Sequence, residues 1–315
     1  MTPLISFIIA YHNEPEALLK ACLDSIHALP LEKDEAEIIV VDDGSETPAT
    51  SFCLPPGGEN VSLTPGRFGG GHYIRQAQAG LSVARNTGIC HAQGRYVQFV
   101  DADDCLIPPA YEAVIEQLRK GEADVVMFRM TKKQQNKYTI HNTQKKLPSE
   151  GKVWRGAGTS FLLHRNLRAA ACAYAFRRET LGDLRFYPGL CHEDELFTPL
   201  LFLRAKYICD LDIAAYFYRQ HSGTITHSVS QEKVQKRLND IHFIINELNS
   251  LGEPTLDRRI QQLTVDYLQK TWTLTSSFQE LRKRIRELRD EGLLPLPLRR
   301  YSLRYLFVAT IANLL

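Results

Sequence analysis

A chain of 315 residues, 44% apolar and 23% charged, has the make-up of a globular protein with a sizeable core, in one large domain or one domain with an addition. A formal net charge of +2 gives no basis for a nucleic-acid partner, and none is expected. The seven cysteines form no C-x-x-C pair, which speaks against a zinc knuckle. Strand-like sequence already at Leu4 leaves no room for a secretory leader, so reduced thiols and a cytoplasmic location are expected. No apolar run is long enough to span a bilayer.

The run Leu4–Ala10 predicts a buried strand. Pro15 then opens a helix whose Leu18, Leu19, Cys22, Leu23 and Ile26 fall on one face. Glu37–Val41 is a second strand run, ending in "DDGS", and the three elements make a βαβ unit with a parallel pair. Ser45 to Gly71 is rich in Pro, Gly, Ser and Thr and predicts a long loop. "HYIRQAQAGLSVARNTGICHAQG" begins strand-like and continues as a helix closed by Gly94. "RYVQFV" is a third buried strand, and a helix runs from Pro108–Pro109 to Lys120 before Gly121. "ADVVMFRM" is a fourth strand, and the polar stretch Gln134–Lys152 suggests a hairpin around "YTIH". Further on, "CHEDELFTPLLFLRA" predicts a helix and "IAAYFYR" a strand. From Gln231 strand signals vanish, and two long helices are expected, about Gln231–Leu251 and Thr255–Arg289. The expectation is therefore an α/β catalytic domain over 1–229 and a helical region over 230–315.

Acidic residues gather where such sheets bind ligands, at the carboxyl ends of strands. Asp42 and Asp43 end the second strand, and Asp101, Asp103 and Asp104 end the third. Like charges this close need a positive counterpart or protonation. In extended backbone Asp101 and Asp103 face one side, a hard oxygen pair suited to Mg²⁺ or Mn²⁺. A calcium loop counted from Asp101 finds Glu112 at its twelfth position, but Leu106 stands where glycine is needed and Pro108–Pro109 break it. Turn and helix capping is the alternative use of these aspartates. No G-x-G-x-x-G follows the first strand and no P-loop is present, so bound phosphates would rely on a metal and basic side chains.

"ISFIIAYHNEPEALLKACLDSI", "EIIVVDDGS", "GLSVARNTGICHAQGRYVQFVDADD" and "HEDELF", in that order, resemble the inverting family 2 glycosyltransferases of glycosyltransferase A fold, over about the first 225 residues. The resemblance is nearest to bacterial enzymes of surface polysaccharide synthesis. It implies a mainly parallel nucleotide-binding sheet flanked by helices, with the C-terminal helical region appended. It implies a metal-dependent hexosyl- or N-acetylhexosaminyltransferase that uses a nucleotide-sugar donor, most often a UDP-sugar, and a glycan or lipid-linked glycan acceptor.

Carried over by position, "AYHNE" is the turn that lines the base, with Ala10, His12 and Glu14 at the nucleoside and His12 where the family has Tyr. Asp43 is the acceptor for the base, and Arg85 of "ARN" lies near the nucleotide, with Asn86 beside it as contact or brace. "DADD" is the D-x-D element: Asp101 at ribose and metal, Asp103 the direct metal ligand. In "CHEDELF", Asp194 is the general base and Glu193 shapes the acceptor site. "YFYRQHSGTIT" resembles a Y-R-x-H element that puts Arg219 at the diphosphate and His221 in the metal shell. A sugar nucleotidyltransferase and a non-catalytic nucleotide- or glycan-binding module are the rivals. The first lacks its glycine-rich basic loop here, and intact Asp103 and Asp194 argue against the second. Finally, Arg299, Arg300 and Arg304 beside the apolar Tyr305–Leu315 suggest either a helix lying on an anionic membrane surface, inside the cell, or one docked on the catalytic domain.

Overall fold

The computed structural model describes residues 2–49, 70–132, 153–219 and 230–315. The expected 45–71 loop lies mostly outside these residues, as do the "YTIH" hairpin and His221. One nine-stranded sheet forms the centre. Its strands are β1 (Ile5–Tyr11), β2 (Ala36–Asp43), β3 (Gly70–Gln76), β4 (Tyr96–Asp101), β5 (Cys105–Leu106), β6 (Val125–Thr131), β7 (Trp154–Gly156), β8 (Tyr174–Arg177) and β9 (Ile208–Phe217). They run in the order β3-β2-β1-β4-β8-β6-β9-β5, with β7 on β9.

The β1–β2, β2–β3, β1–β4 and β6–β9 pairs are parallel, while β8 enters antiparallel between β4 and β6. β2 is buried along its whole length, as a strand covered on both faces must be. That is why its sequence runs apolar without alternation.

Among the described residues, five α-helices accompany the sheet: α1 (Glu16–His27), α2 (Leu81–His91), α3 (Pro108–Lys120), α4 (Gly158–His164) and α5 (Asp194–Arg204). α2 ends at His91, short of the expected Gly94, because residues 92–95 turn into β4. There Gly94 N–H donates to Ser6 Oγ at 2.8 Å and to the buried Glu37 carboxylate at 3.0 Å. α2 also lies close on β1: a Cβ at Gly88 would collide with the Ile8 side chain. This approach carries Arg85, one turn earlier, over the end of β4.

Beyond residue 230 come α6 (Gln231–Ser250), α7 (Asp257–Thr275), α8 (Phe278–Asp290) and α9 (Leu303–Leu314). The expected second long helix is two helices. Ser276 takes a left-handed φ of 48°, and Ser277 caps α8 by accepting from Glu280 N–H at 3.2 Å. These helices are not separate in packing, since one continuous core joins Phe197 and Phe202 of α5 to Ile241, Leu263, Ile285 and Tyr305. α9 docks through Tyr305, Ala309 and Ala312, and Arg304 pairs with Asp266 of α7. Its other side leaves Leu303 and Leu314 more than 80% exposed, with Phe307 at 68%. No helix among the described residues is long and apolar enough to cross a membrane. The six described cysteines are free.

Candidate active site

The carboxyl ends of β1, β2 and β4 meet the N-termini of α2 and α5. In the β2 turn, Asp42 is fully buried and accepts from Ser45 N–H at 2.8 Å and from the Tyr73 hydroxyl at 2.5 Å. Asp43 accepts from Gln76 Nε2 at 2.7 Å, Ala79 N–H at 2.8 Å and Gly80 N–H at 2.7 Å. It thus ties the start of α2 to the sheet, and Gly80 permits the turn with a φ of 91°. These bonds leave Asp43 little acceptor capacity for a ligand. His12 Nδ1 is 2.8 Å from the Asp43 carbonyl, and Gln78 Nε2 is 3.1 Å from His12 Nε2, so the imidazole is held on both edges. Ala10 lies at the end of β1, in register with Asp101. Glu14 accepts from His12 N–H at 2.6 Å, and burial raises its pKa, with the Asp103 charge adding to the effect.

The aspartates after β4 divide their work. Asp104 is fully buried and accepts from the Tyr216 hydroxyl and from Arg219 N–H, both at 2.8 Å. Burial first, then the charges of Asp101 and Asp103, push its pKa up to about 8. Asp104 therefore braces the end of β9, while Asp101 and Asp103 are half-buried. The Arg219 guanidinium lies against Cys105 Sγ at 3.3 Å, and its Nε is buried without a partner among the described residues.

Among the described residues no group of three metal-ligating side chains converges. Ions of the Mg²⁺ type keep waters and substrate phosphates and need only one or two carboxylates. The hard, crowded oxygens of Asp101 and Asp103 fit such an ion. His221 lies outside the described residues.

Arg85, expected near the nucleotide, is buried between two acids. Its Nη1 donates to Glu193 at 2.6 Å and its Nη2 to Asp101 at 3.0 Å. Its guanidinium also lies over the rings of Phe99 and Phe186, at 5.6 and 5.3 Å from their centroids. Asn86 braces the neighbouring segment by two bonds to the Phe186 backbone.

The three acids that open α5 now differ. Glu193 is paired with Arg85, and Glu195 with Arg259 of α7. Asp194 accepts no hydrogen bond and has no ion pair among the described residues. Burial, reinforced by the Glu193 charge against the opposing pull of Arg85, raises its pKa to about 7. Lys270 of α7 stands beside this helix start, its Nζ 3.3 Å from His192 Nε2. Sequence reading missed Arg259 and Lys270 because nothing local in a long amphipathic helix marks which charge turns inward. It also missed Tyr216 and Gln78, for which only the neighbouring motifs gave a signal.

Comparison with known proteins decides the family. Residues 6–185 match the model of "Glycosyl transferase family 2", which spans more than half of the chain. The chain belongs to that family. Among curated relatives, the uncharacterized glycosyltransferase EpsJ of Bacillus subtilis (strain 168) is 30% identical over 237 residues, 72% of this chain. The match spans 64% of EpsJ's length, so the chain accounts for less than two thirds of that relative. The crystal structure of S. aureus TarS 1–349 in complex with UDP-GlcNAc superposes with a TM-score of 0.64 at 19% identity, covering 98% of this chain and 88% of that one. A mannosyltransferase from Pyrobaculum calidifontis in complex with GDP-Man and Mn²⁺ gives 0.54 at 15% identity, covering 100% and 88%. The family 2 membership and this fold likeness agree with the glycosyltransferase A fold expected from the sequence.

Proposed function

We propose that the chain moves a hexosyl or N-acetylhexosaminyl group from a UDP-sugar to a hydroxyl of a glycan or lipid-linked glycan, with inversion, in bacterial surface polysaccharide synthesis. The observation that carries this reading is the division among the α5 acids: arginines neutralise Glu193 and Glu195, and Asp194 is the one of the three without a hydrogen bond or ion pair among the described residues, with a pKa near 7. Such a carboxylate is poised to accept a proton near neutral pH. It takes the proton of the acceptor hydroxyl while that oxygen bonds to the anomeric carbon. The bond from that carbon to UDP breaks with its electron pair, and a single displacement inverts the centre.

Ala10, His12 and Glu14 form the nucleoside wall in this reading. Asp43 fixes the turn and keeps at most a lone pair for the base. Arg85 is a positioning residue that sets the spacing of Asp101 and Glu193. Asp103, with Asp101 and His221, would hold Mn²⁺ or Mg²⁺, which when bound neutralises charge on the diphosphate. Arg219 adds a fixed positive charge on the same side. Residues 1–229 carry the donor side, and the helices of 230–315 wall the acceptor side through Arg259 and Lys270.

UDP is favoured over GDP because the TarS complex, with the higher TM-score of the two, holds UDP-GlcNAc. The test is nucleotide release from UDP-GlcNAc, UDP-glucose, UDP-galactose and GDP-mannose, with Mn²⁺ and with EDTA. Release of UDP that needs Mn²⁺ is expected; release of GDP alone, or of nothing, refutes the reading.

A membrane role for α9 is supported by its exposed Leu303, Phe307 and Leu314 beside the exposed Arg299 and Arg300. Phe307→Glu, on the open side of the docked helix, is then expected to abolish flotation with anionic liposomes. Equal flotation of the variant and the unaltered chain would remove that role.

A further inference from the structure

Beside the short 171–173 helical turn, whose Ala173 lines it, lies a cavity of about 500 Å³. That size suits a small ligand group. Arg129, Arg165, Arg168 and Arg258 line it, against the single carboxylate Asp210. Asp210 is 2% exposed and shared: Arg129 donates to it at 2.7 and 3.2 Å, and Arg165 at 3.3 Å. Asp212, at 56% side-chain exposure, pairs with Arg129.

The remaining cations have no carboxylate partner among the described residues. Arg168 is exposed, with neither a hydrogen bond nor an ion pair among the described residues. Arg258 bonds the Asn166 side chain at 2.7 Å and lies 4.3 Å from the Tyr301 ring centroid, and its Nε is buried without a partner among the described residues. Arg165 lies over both Trp154 and Phe161. Solvated surface arginines are usually mobile, but three of these four are held in place by rings or by a buried carboxylate. Gathering them costs repulsion that one aspartate does not offset. Guanidinium forks fixed in this way match the oxygens of a phosphate.

The cavity borders the catalytic centre. Ala173 lines it, while the preceding Cys172 is buried toward Asp101 and Arg85. Arg259 bridges the two regions, donating to the Leu167 carbonyl at 3.1 Å and to Glu195, the residue after Asp194. It is separate from the diphosphate side, where Arg219 stands against Cys105.

We infer that this arginine cavity binds a phosphate group carried by the acceptor, so that the acceptor substrate is a phosphorylated glycan, polyol or lipid-linked sugar. The inference rests on the glycosyltransferase reading, which makes Asp194 the acceptor side. The phosphate anchors the acceptor through Arg165, Arg168 and Arg258 and leaves its hydroxyl to reach Asp194.

The test is calorimetry on the full chain with the donor site filled by saturating UDP and Mn²⁺. The probes are sn-glycerol 3-phosphate for a polyol source and octyl phosphate, below its micelle concentration, for a lipid source. At least one is expected to bind, and the tighter of the two names the source. Arg168→Ala, at an exposed side chain without a partner, and Arg258→Lys, which keeps the charge but loses the fork, are each expected to weaken binding about ten-fold, the effect of one charge-assisted contact. UDP affinity is expected to stay unchanged in both. Failure of both probes to bind, or unchanged phosphate affinity in both variants, overturns the inference. Loss of UDP binding in the unaltered chain would strike the donor-site reading instead, and is read separately in the same titration.

Discussion

Replacing Arg85 by Met removes the cation that two acids share while keeping much of the side chain's volume. The Arg85 and Glu193 side chains are 7% and 11% exposed, and their contact is 2.6 Å. Asp101, on the other fork, is 32% exposed, so water partly screens that pair. Removing one partner of a buried pair leaves an uncompensated charge and typically costs about 3–5 kcal/mol. The loss is expected at the upper part of that range, because two ring contacts and two carboxylates lose their partner together, tempered by the exposure of Asp101. Glu193→Gln in the same background removes one of the orphaned charges and is expected to recover part of the loss, so the two substitutions are not additive. Urea denaturation at neutral pH of the two single variants and the double variant measures this. A loss below about 1 kcal/mol for Arg85→Met, the range of an exposed pair, would refute the picture of a buried clamp. So would strict additivity of the two changes.

Asp194 with a pKa near 7 predicts a kcat/KM that climbs with pH through about 7, and this limb is expected to vanish in Asp194→Asn. The sign for stability follows: a carboxyl whose pKa is raised on folding favours the folded state below its ordinary 3.8 and loses that advantage as pH rises through 7. Asp194→Asn is thus expected to stabilise the fold increasingly between pH 4 and 7, and a flat difference in melting temperature across that window would contradict the assignment. Asp103→Ala is expected to abolish the Mn²⁺-dependent part of UDP binding in calorimetry while the fold survives, and undiminished metal dependence would remove Asp103 as a ligand. Gly88→Ala forces a methyl into Ile8 and is expected to cost about 1–3 kcal/mol in denaturation, the range for overpacking, with weaker UDP binding as α2 is pushed off β1.

The buried parallel strands were legible because they are covered on both faces. The apolar runs of β1, β2 and β4 need no partner to be recognised. Both ends of α3 were legible, since proline marks its start and Gly121, left-handed with a φ of 69°, its end. β5, β7 and β8 were not, because strands of two to four residues are fixed by the neighbours they pair with rather than by their own pattern. The break at Ser276 had a local signal that length obscured: Ser277 and Glu280 stand at capping-box spacing. In the site, the motifs placed the acids but not their partners. Whether Glu193, Asp194 or Glu195 stays unpaired depends on Arg85 and Arg259, which approach from α2 and α7 and belong to no common stretch of sequence. The same holds for Asp43, whose bonds to the Ala79 and Gly80 backbone appear only once α2 is docked.

The account turns on one acid of three being free to take a proton. The direct measurement is turnover of a UDP-sugar donor by Glu193→Gln, Asp194→Asn and Glu195→Gln side by side, with UDP affinity determined for each. Asp194→Asn is expected to lose roughly 10²–10⁴-fold in rate with UDP affinity nearly unchanged, and the other two to lose less. Retained turnover in Asp194→Asn, with loss in Glu193→Gln or Glu195→Gln at intact UDP binding, would show that a different acid is the base. Retained turnover in all three would contradict the mechanism itself.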